Sequence, residues 1–389
     1  MHDFSSKHIE TESVRGGLNQ DEQYGCVVPP IYLSSTYTFS GFNQPRAHDY
    51  SRRGNPSRDL VQNTLAKLEG GQGAIMTSSG MSAINLLCTV LLKPGDLLIA
   101  PIDCYGGSYR LFDSLAKRGA FDVLFIDQRC PIQLKSILQK KPKMVLIETP
   151  SNPLLNIVDI EAVAQIAHEA GSTVVVDNTF LSPVLQKPLA LGADIVVHSC
   201  TKYLNGHSDV VAGAVICKDP AVSMEMAWWA NNIGVTGAAF DSYLLLRGIR
   251  TLVPRIRQQQ ETAEKIAKFL DEHPLIHRVY YPGLESHEGH ELAKRQQQGF
   301  GAMLSFELNI EESEFETFLN ALNYFTLAES LGGVESLISH TATMTHAGMS
   351  AQARVEAGIK NNLFRLSVGL ESSEDLLSDL ATALSYFKP

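Results

Sequence analysis

The chain is poor in cysteine and has no close pair of them. Its six cysteines, at positions 26, 88, 104, 130, 200 and 217, are scattered. That spacing excludes a C-x-x-C redox or zinc pair and predicts reduced, packed thiols in a cytoplasmic protein. Positive charge is short as well: 32 lysines and arginines against 42 acidic residues leave a net −10. A nucleic-acid surface needs a basic stripe, so no nucleic-acid partner is expected. No apolar run reaches the length of a membrane span, and no membrane partner is expected either. The first ten residues, Met1 to Glu10, lack the basic start and apolar core of a signal peptide. The two histidines of His287-Glu-Gly-His290 have the wrong spacing for H-E-x-x-H, so no metal site is expected. After the first strand there is neither a G-x-G-x-x-G fingerprint nor a G-K-[ST] ending, which argues against a nicotinamide dehydrogenase and a nucleotide-binding P-loop.

The 389 residues suffice for two or three domains. Residues 1 to about 60 carry turn formers and hydroxyls with little periodicity. They hold too many aromatics for disorder and are expected to form an arm packed against something. A helix is predicted from Ser57, with Leu60, Val61, Leu65 and Leu68 on one side, stopping at Gly70-Gly71. Strands are then predicted at Ala74–Thr77, Leu97–Ala100, Val123–Ile126, Met144–Glu148, Thr173–Asp177, Asp194–His198 and Gly213–Cys217. Helical stretches lie between most of them. This alternation predicts an α/β fold with a mainly parallel seven-stranded sheet covered on both faces. A long helical region from Phe240 to His273 contains Pro254, which is expected to kink or break it and to mark a domain boundary. Beyond it, strand candidates at Ala302–Leu308 and Phe364–Leu370, with helices at Phe315–Leu322 and Ser373–Phe387, suggest a smaller C-terminal α+β domain. The expected layout is an arm over 1–60, an α/β domain over 61–256 and an α+β domain over 257–389.

The chemistry centres on His198-Ser-Cys-Thr-Lys-Tyr-Leu-Asn-Gly-His207. Lys202 follows a short β-branched strand, where open α/β sheets place their ligands. Asp177 ends another such strand 25 residues upstream. Two adjacent strand ends would present one lysine and one aspartate to one pocket, the pair a pyridoxal phosphate enzyme needs. The lysine binds the cofactor as a Schiff base and the aspartate keeps its ring nitrogen protonated. Taken singly, the lysine is a solvated surface residue and the aspartate a helix cap.

Three further stretches bear on this pocket. Thr77-Ser-Ser-Gly-Met-Ser-Ala83 joins a strand to a helix and would offer backbone N–H groups at a helix N-terminus; with Ser199 and Thr201 it makes a plausible phosphate cup. In Asp103-Cys-Tyr-Gly-Gly-Ser-Tyr-Arg110, Tyr105 suits stacking on a flat ring, or else is a buried tyrosine beside a tight turn. Arg365 sits in a strand candidate between Phe364 and Leu366. A buried arginine needs a carboxylate, either a structural Asp or Glu or a substrate.

The lysine stretch Ser199-x-Thr-Lys-Tyr-Leu-Asn-Gly-His-Ser-Asp209, with Tyr50-Ser-Arg-Arg-Gly-Asn-Pro56, Ser79-Gly-Met-Ser82, Glu148-x-Pro-Ser-Asn-Pro153, Val176-Asp-Asn-Thr179 and Leu327-Ala-Glu-Ser-Leu-Gly-Gly-Val-Glu-Ser336, resembles the Cys/Met-metabolism family of pyridoxal phosphate enzymes. The resemblance runs in order from about residue 12 to the C-terminus. One departure is Ser57, where the arm motif commonly has threonine and the hydroxyl is kept. The resemblance implies the aspartate-aminotransferase-type fold, in a homotetramer built as a dimer of dimers, with pyridoxal 5′-phosphate as cofactor. It implies Lys202 as the cofactor-binding lysine and mobile base, Asp177 against the ring nitrogen and Tyr105 against the ring. Gly80, Met81, Ser199 and Thr201 would hold the phosphate, with Tyr50 and Arg52 reaching that of a neighbouring subunit. Arg365 would clamp the substrate α-carboxylate beside Asn152 and Ser330, and Glu329 would favour a second amino-acid substrate. The stretch Ala227–Gly237 and the pair Arg52-Arg53 look most like the γ-replacing members. The expected reaction is therefore replacement of the γ-succinyloxy group of O-succinyl-L-homoserine by the thiolate of L-cysteine. The alternatives are γ-elimination from cystathionine and use of sulfide in place of cysteine. Arg53 and Arg110 are candidates for the distal succinyl carboxylate, or else for surface or intersubunit ion pairs.

Overall fold

The computed structural model describes residues 8–130, 134–135 and 139–388. The start of the N-terminal stretch, residues 1–7, lies outside them. Contacts divide the chain into two compact units: one of Met1–Leu92 with Thr173–Val253, the other of Lys93–Ser172 with Pro254–Pro389.

All seven expected strands are present: β1 (Gly73–Thr77), β2 (Leu97–Pro101), β3 (Asp122–Ile126), β4 (Met144–Glu148), β5 (Thr173–Asp177), β6 (Ile195–Ser199) and β7 (Gly213–Cys217). Their order in the sheet is β1-β7-β6-β5-β4-β2-β3. The pairs β2/β3, β2/β4 and β5/β6 are parallel, while β7 runs antiparallel to both β1 and β6. The reason is the length of the link. Residues 200–212 hold no helix, and parallel neighbours generally need a helical crossover. The chain therefore turns back, and the turn carries Lys202.

In the first unit, Val174, Val175 and Val176 are fully buried, as suits strands covered on both faces. The helix Pro56–Glu69 starts on Asn55, whose side chain accepts from the amides of Ser57 and Arg58, and ends on Gly70 in the left-handed conformation. The helix Gly80–Leu91 starts on Ser79, whose hydroxyl accepts from Ser82 N–H.

The predicted kink at Pro254 is absent. The helices are Ala239–Ile249 and Leu252–Asp271, so the break falls at residues 250–251 and Pro254 stands in the first turn of the second helix. There its missing N–H costs no hydrogen bond.

The second unit adds a five-stranded sheet of β8 (Ile276–Tyr280), β9 (Met303–Leu308), β10 (Thr326–Leu327), β11 (Leu337–His340) and β12 (Leu363–Ser367), in the order β10-β11-β12-β9-β8. Phe364 stacks with Phe306 at 5.8 Å and meets Phe315 and Phe318 edge-on at 5.1 and 5.7 Å. Successive strand residues face opposite sides, so Arg365 points away from that aromatic core. No helix among the described residues is long and apolar enough to cross a membrane.

Candidate active site

The first unit gathers most of the predicted cofactor residues. Asp177 pairs with Val197 across β5 and β6, which puts Asp177, Val197 and Ser199 on one face of the sheet. That face is covered by the helix Gly80–Leu91: a Cβ on Gly80 would lie 2.9 Å from Ser199 Cβ. The amides of Gly80 and Met81 belong to the first turn of this helix, where no intrahelical acceptor exists, and the turn contains no acidic residue. Gly213 holds the same turn from β7. A Cβ there would sit 2.2 Å from the Ser79 carbonyl oxygen and 2.6 Å from Thr77 Oγ1, so only glycine lets the two backbones approach so closely. Thr201 is fixed beside them, its Oγ1 donating to Ala212 O at 3.2 Å and accepting from Ala212 N–H at 3.1 Å.

Lys202 begins a tight turn: its N–H donates to Ser199 O at 3.2 Å, and its carbonyl accepts from Gly206 N–H at 2.8 Å. Burial pushes the Asp177 carboxyl above the usual carboxylate range, against the opposing pull of the Thr179 hydroxyl and amide and of His198. The Thr179 amide lies 2.9 Å from Oδ1. A carboxylate that burial disfavours and so few donors support is suited to a cation such as a protonated ring nitrogen. Uncharged amides at a helix start, two hydroxyls, this carboxylate and a lysine together fit pyridoxal phosphate.

Behind the opposite face lies a buried polar cluster that nothing in the local sequence announces. Glu69 Oε1 accepts from Asn178 Nδ2 at 2.9 Å and lies 2.6 Å from His198 Nε2. Glu69, Asn178 and His198 are 0–1% exposed. One carboxylate oxygen thus ties the residue after Asp177 to the residue before Ser199.

Tyr50, Arg52 and Arg53 lie on the surface of the first unit. Arg52 donates to Asn231 O at 2.7 Å and stands over the Tyr50 ring at 5.5 Å, while Arg53 pairs with Asp49 at 2.7 Å. Arg58, buried among them, donates to Ser51 O at 2.6 Å and Gly237 O at 2.9 Å, which fixes the loop that carries all three.

The second unit brings Arg365, Asn152 and Ser330 together. Arg365 is 3% exposed. Its Nη1 donates to Asn152 Oδ1 at 2.8 Å and its Nη2 to Ser330 O at 2.9 Å. Both acceptors are uncharged. Ser330 has φ +90°, a rare conformation for a residue with a Cβ, which aims its carbonyl at the guanidinium. Asn152 is held by His346 and Glu148: His346 Nε2 donates to Asn152 O at 3.0 Å, and Asn152 N–H donates to Glu148 Oε1 at 3.1 Å. The other oxygen of Glu148 accepts from Tyr105 N–H at 2.9 Å. One carboxylate therefore orients both Asn152 and Tyr105. Burial, followed by the charge of Arg365, lowers His346 to about 4, so it is a neutral positioning group. Tyr105 is 43% exposed, which removes the buried-tyrosine alternative. Arg110 is exposed beside Gly348 and has no ion-pair partner among the described residues. Glu329 is exposed as well. Among the described residues, no group of three or more His, Cys, Asp or Glu side chains is arranged to hold a metal ion.

Comparison with known proteins agrees with this chemistry. Residues 10–385 match the model of the Cys/Met metabolism PLP-dependent enzyme family. The chain is 67% identical over 370 residues to cystathionine γ-synthase of Escherichia coli K12, covering 95% of this chain and 96% of that one. It is 44% identical to cystathionine γ-lyase of Bacillus subtilis, covering 96% and 98%. Its fold is similar to the crystal structure of cystathionine γ-synthase from Xanthomonas oryzae pv. oryzae in complex with aminoacrylate and cysteine. There the TM-score is 0.97 and the identity 55%, over 98% of each chain.

Proposed function

Since this chain belongs to the Cys/Met metabolism family of PLP-dependent enzymes, we propose that it catalyses γ-replacement on O-succinyl-L-homoserine with L-cysteine, giving L-cystathionine and succinate. The observation that carries this reading is the 67% identity to a cystathionine γ-synthase across 95% of the chain. Pyridoxal 5′-phosphate is the cofactor, and when bound it supplies an electron sink for the negative charge that develops at the substrate α-carbon.

The residues divide the work as follows. Lys202 binds the cofactor and then moves the protons at Cα and Cβ. Asp177 would hold the cofactor's ring nitrogen protonated, and Tyr105 would pack against its ring. The amides of Gly80 and Met81, with Ser199 and Thr201, take the phosphate. Tyr50 and Arg52 reach the phosphate of a neighbouring subunit. Arg365, with Asn152 and Ser330, receives the α-carboxylate. Arg53 and Arg110 receive the distal carboxylate of the succinyl group, and Glu329 favours the amino group of the incoming cysteine. Succinate leaves from Cγ, and the cysteine thiolate forms the new C–S bond there.

The assembly follows from the same reading: a cytoplasmic homotetramer built as a dimer of dimers, with an arm over 1–60, a cofactor domain over 61–256 and a C-terminal domain over 257–389. Support for the arm comes from its exposed aromatics: Tyr24 is 79% and Phe42 100% exposed, surface that another subunit would cover. All six cysteines are free, in keeping with a reducing compartment. The decisive assay supplies O-succinyl-L-homoserine with and without L-cysteine. Cystathionine should form with cysteine, and 2-oxobutanoate should be released slowly without it. Rapid 2-oxobutanoate from cystathionine with little synthesis would make the enzyme a γ-lyase.

A further inference from the structure

The second unit contains a cleft of about 330 Å³ that the reaction does not use. Its floor is apolar, formed by Ile157, Leu292 and the Tyr280 ring, and its rim carries Arg129, Arg278, Asp127 and Glu288. Two ion pairs on that rim are loose and one is tight. Arg129 grips Asp127 with two N–H groups at 3.0 and 2.8 Å. Glu288, by contrast, lies 3.4 Å from Arg129 and 3.5 Å from Arg278, beyond good charge-assisted distances. His287, 9% exposed, supplies a further donor. Its Nδ1 accepts from Gly289 N–H at 3.0 Å, which places the ring proton on Nε2, and that N–H has no partner among the described residues. Burial, then the charge of Arg278, lowers His287 to about 4, so the ring is neutral and the formal charges of the lining cancel.

We propose that this cleft binds a free α-amino acid with an apolar side chain. Its carboxylate bridges Arg278 and His287 Nε2, its ammonium takes Glu288, and its side chain lies on Ile157 and Leu292. A simple anion or cation satisfies only one half of such a lining; a zwitterion satisfies both. The cleft also connects to Asn152. Arg129 Nη1 donates to Asn156 Oδ1 at 2.9 Å, and Asn156 Nδ2 donates to Asp103 Oδ2 at 2.7 Å. The Ser151 hydroxyl donates to the same Asp103 oxygen, and Ser151 precedes Asn152. Occupancy that draws Glu288 away from Arg129 is therefore felt at the carboxylate clamp, a consequence that rests on the reading of Arg365 and Asn152 given above, whereas the binding itself does not.

The test is calorimetry of the holoenzyme with L-norleucine. An Arg365→Leu enzyme weakens substrate-like binding, and the cofactor absorbance reports any that remains. Norleucine should still bind this variant without changing the absorbance. Adding Arg278→Met or, separately, His287→Phe should weaken binding at least tenfold. Hexanoate and pentylamine, which each carry one of the two charges, should bind at least tenfold more weakly than norleucine. Loss of binding in Arg365→Leu, or unchanged binding in both cleft variants, would overturn the site. Hexanoate as tight as norleucine would overturn the amino-acid class. The KM for the acyl-homoserine should respond to norleucine differently in wild type and in Arg278→Met; superimposable responses would overturn the coupling.

Discussion

Replacing Gly213 with alanine tests whether the turn before the helix Gly80–Leu91 is the phosphate site. The added Cβ would stand 2.2 Å from the Ser79 carbonyl oxygen and 2.6 Å from its carbonyl carbon. Ordinary contacts need roughly 1 Å more, and neither partner is a side chain that can swing away. The strain is relieved by displacing Ser79, and with it the Gly80 and Met81 amides. Overpacking of this kind costs about 1–3 kcal/mol, which corresponds to about a 5- to 150-fold loss of cofactor affinity if the turn must be pushed back for phosphate to bind. The assay is titration of dialysed apoenzyme with pyridoxal phosphate, with urea unfolding of the same apoenzyme alongside. Gly80→Ala meets Ser199 Cβ at 2.9 Å and Ser199 Cα at 3.1 Å, a milder clash than at Gly213, and should lose less cofactor affinity than Gly213→Ala. Gly119→Ala serves as the control: its φ is +75° with nothing within 4 Å, so it should lose about 1 kcal/mol of stability and no cofactor affinity. A Gly213→Ala enzyme that binds the cofactor like wild type, or a Gly119→Ala enzyme that loses as much, would refute the assignment.

Glu69→Ala should destabilise the apoenzyme by about 3–5 kcal/mol in urea, because His198 and Asn178 lose their shared acceptor in the interior; Glu69→Gln, which keeps an acceptor, should cost less. Arg365→Leu should raise KM for the acyl-homoserine about 10- to 150-fold, the worth of a charge-assisted hydrogen bond, while the cofactor absorbance stays unchanged. Arg110→Gln should raise KM for the succinyl substrate far more than for the acetyl one; equal changes in steady-state assays would remove Arg110 from that role. His287 and His346 should each subtract stability as the pH drops from 6.5 to about 4, while the raised carboxyls of Asp103 and Asp177 act in the opposite direction. His287 and His346 are both depressed to about 4 in the fold, so below 6.5 the unfolded chain takes up protons that the native state refuses. Each contributes about 3 kcal/mol across that window, and urea unfolding of His346→Gln at pH 7 and pH 4.5 should show a shallower loss.

Much of the fold was legible because it is local. Alternating β-branched runs and amphipathic stretches placed all seven strands of the large sheet, and Arg365 drew attention because a cation between Phe364 and Leu366 needs a reason. The pieces that escaped are made of long-range pairs. Glu69 meets His198 across 129 positions, His346 meets Asn152 across 194, and no window of sequence contains both partners. Gly213 looked like the first residue of a strand; its need to be glycine arises from Ser79, on another element. Pro254 misled for a related reason: proline breaks a helix interior but is tolerated in the first turn, and the sequence pattern alone did not locate that turn. Glu148 stood in a quoted motif, yet its role appears only when its two oxygens are seen to take two different amides.

The discontinuity of the first unit has a bearing on biosynthesis. β1 is completed by β7, with Gly73 opposite Cys217 and Thr77 opposite Gly213. At ribosomal speeds of about 5–20 residues per second, roughly 7 to 30 s separate the emergence of these strands. Until β7 arrives, the turn at Ser79 has no floor and β1 presents an unpaired edge to other nascent chains. A polypeptide truncated before residue 213 should therefore retain no affinity for pyridoxal phosphate, and translation stalled in that interval should leave an aggregation-prone nascent chain rather than a partly loaded enzyme.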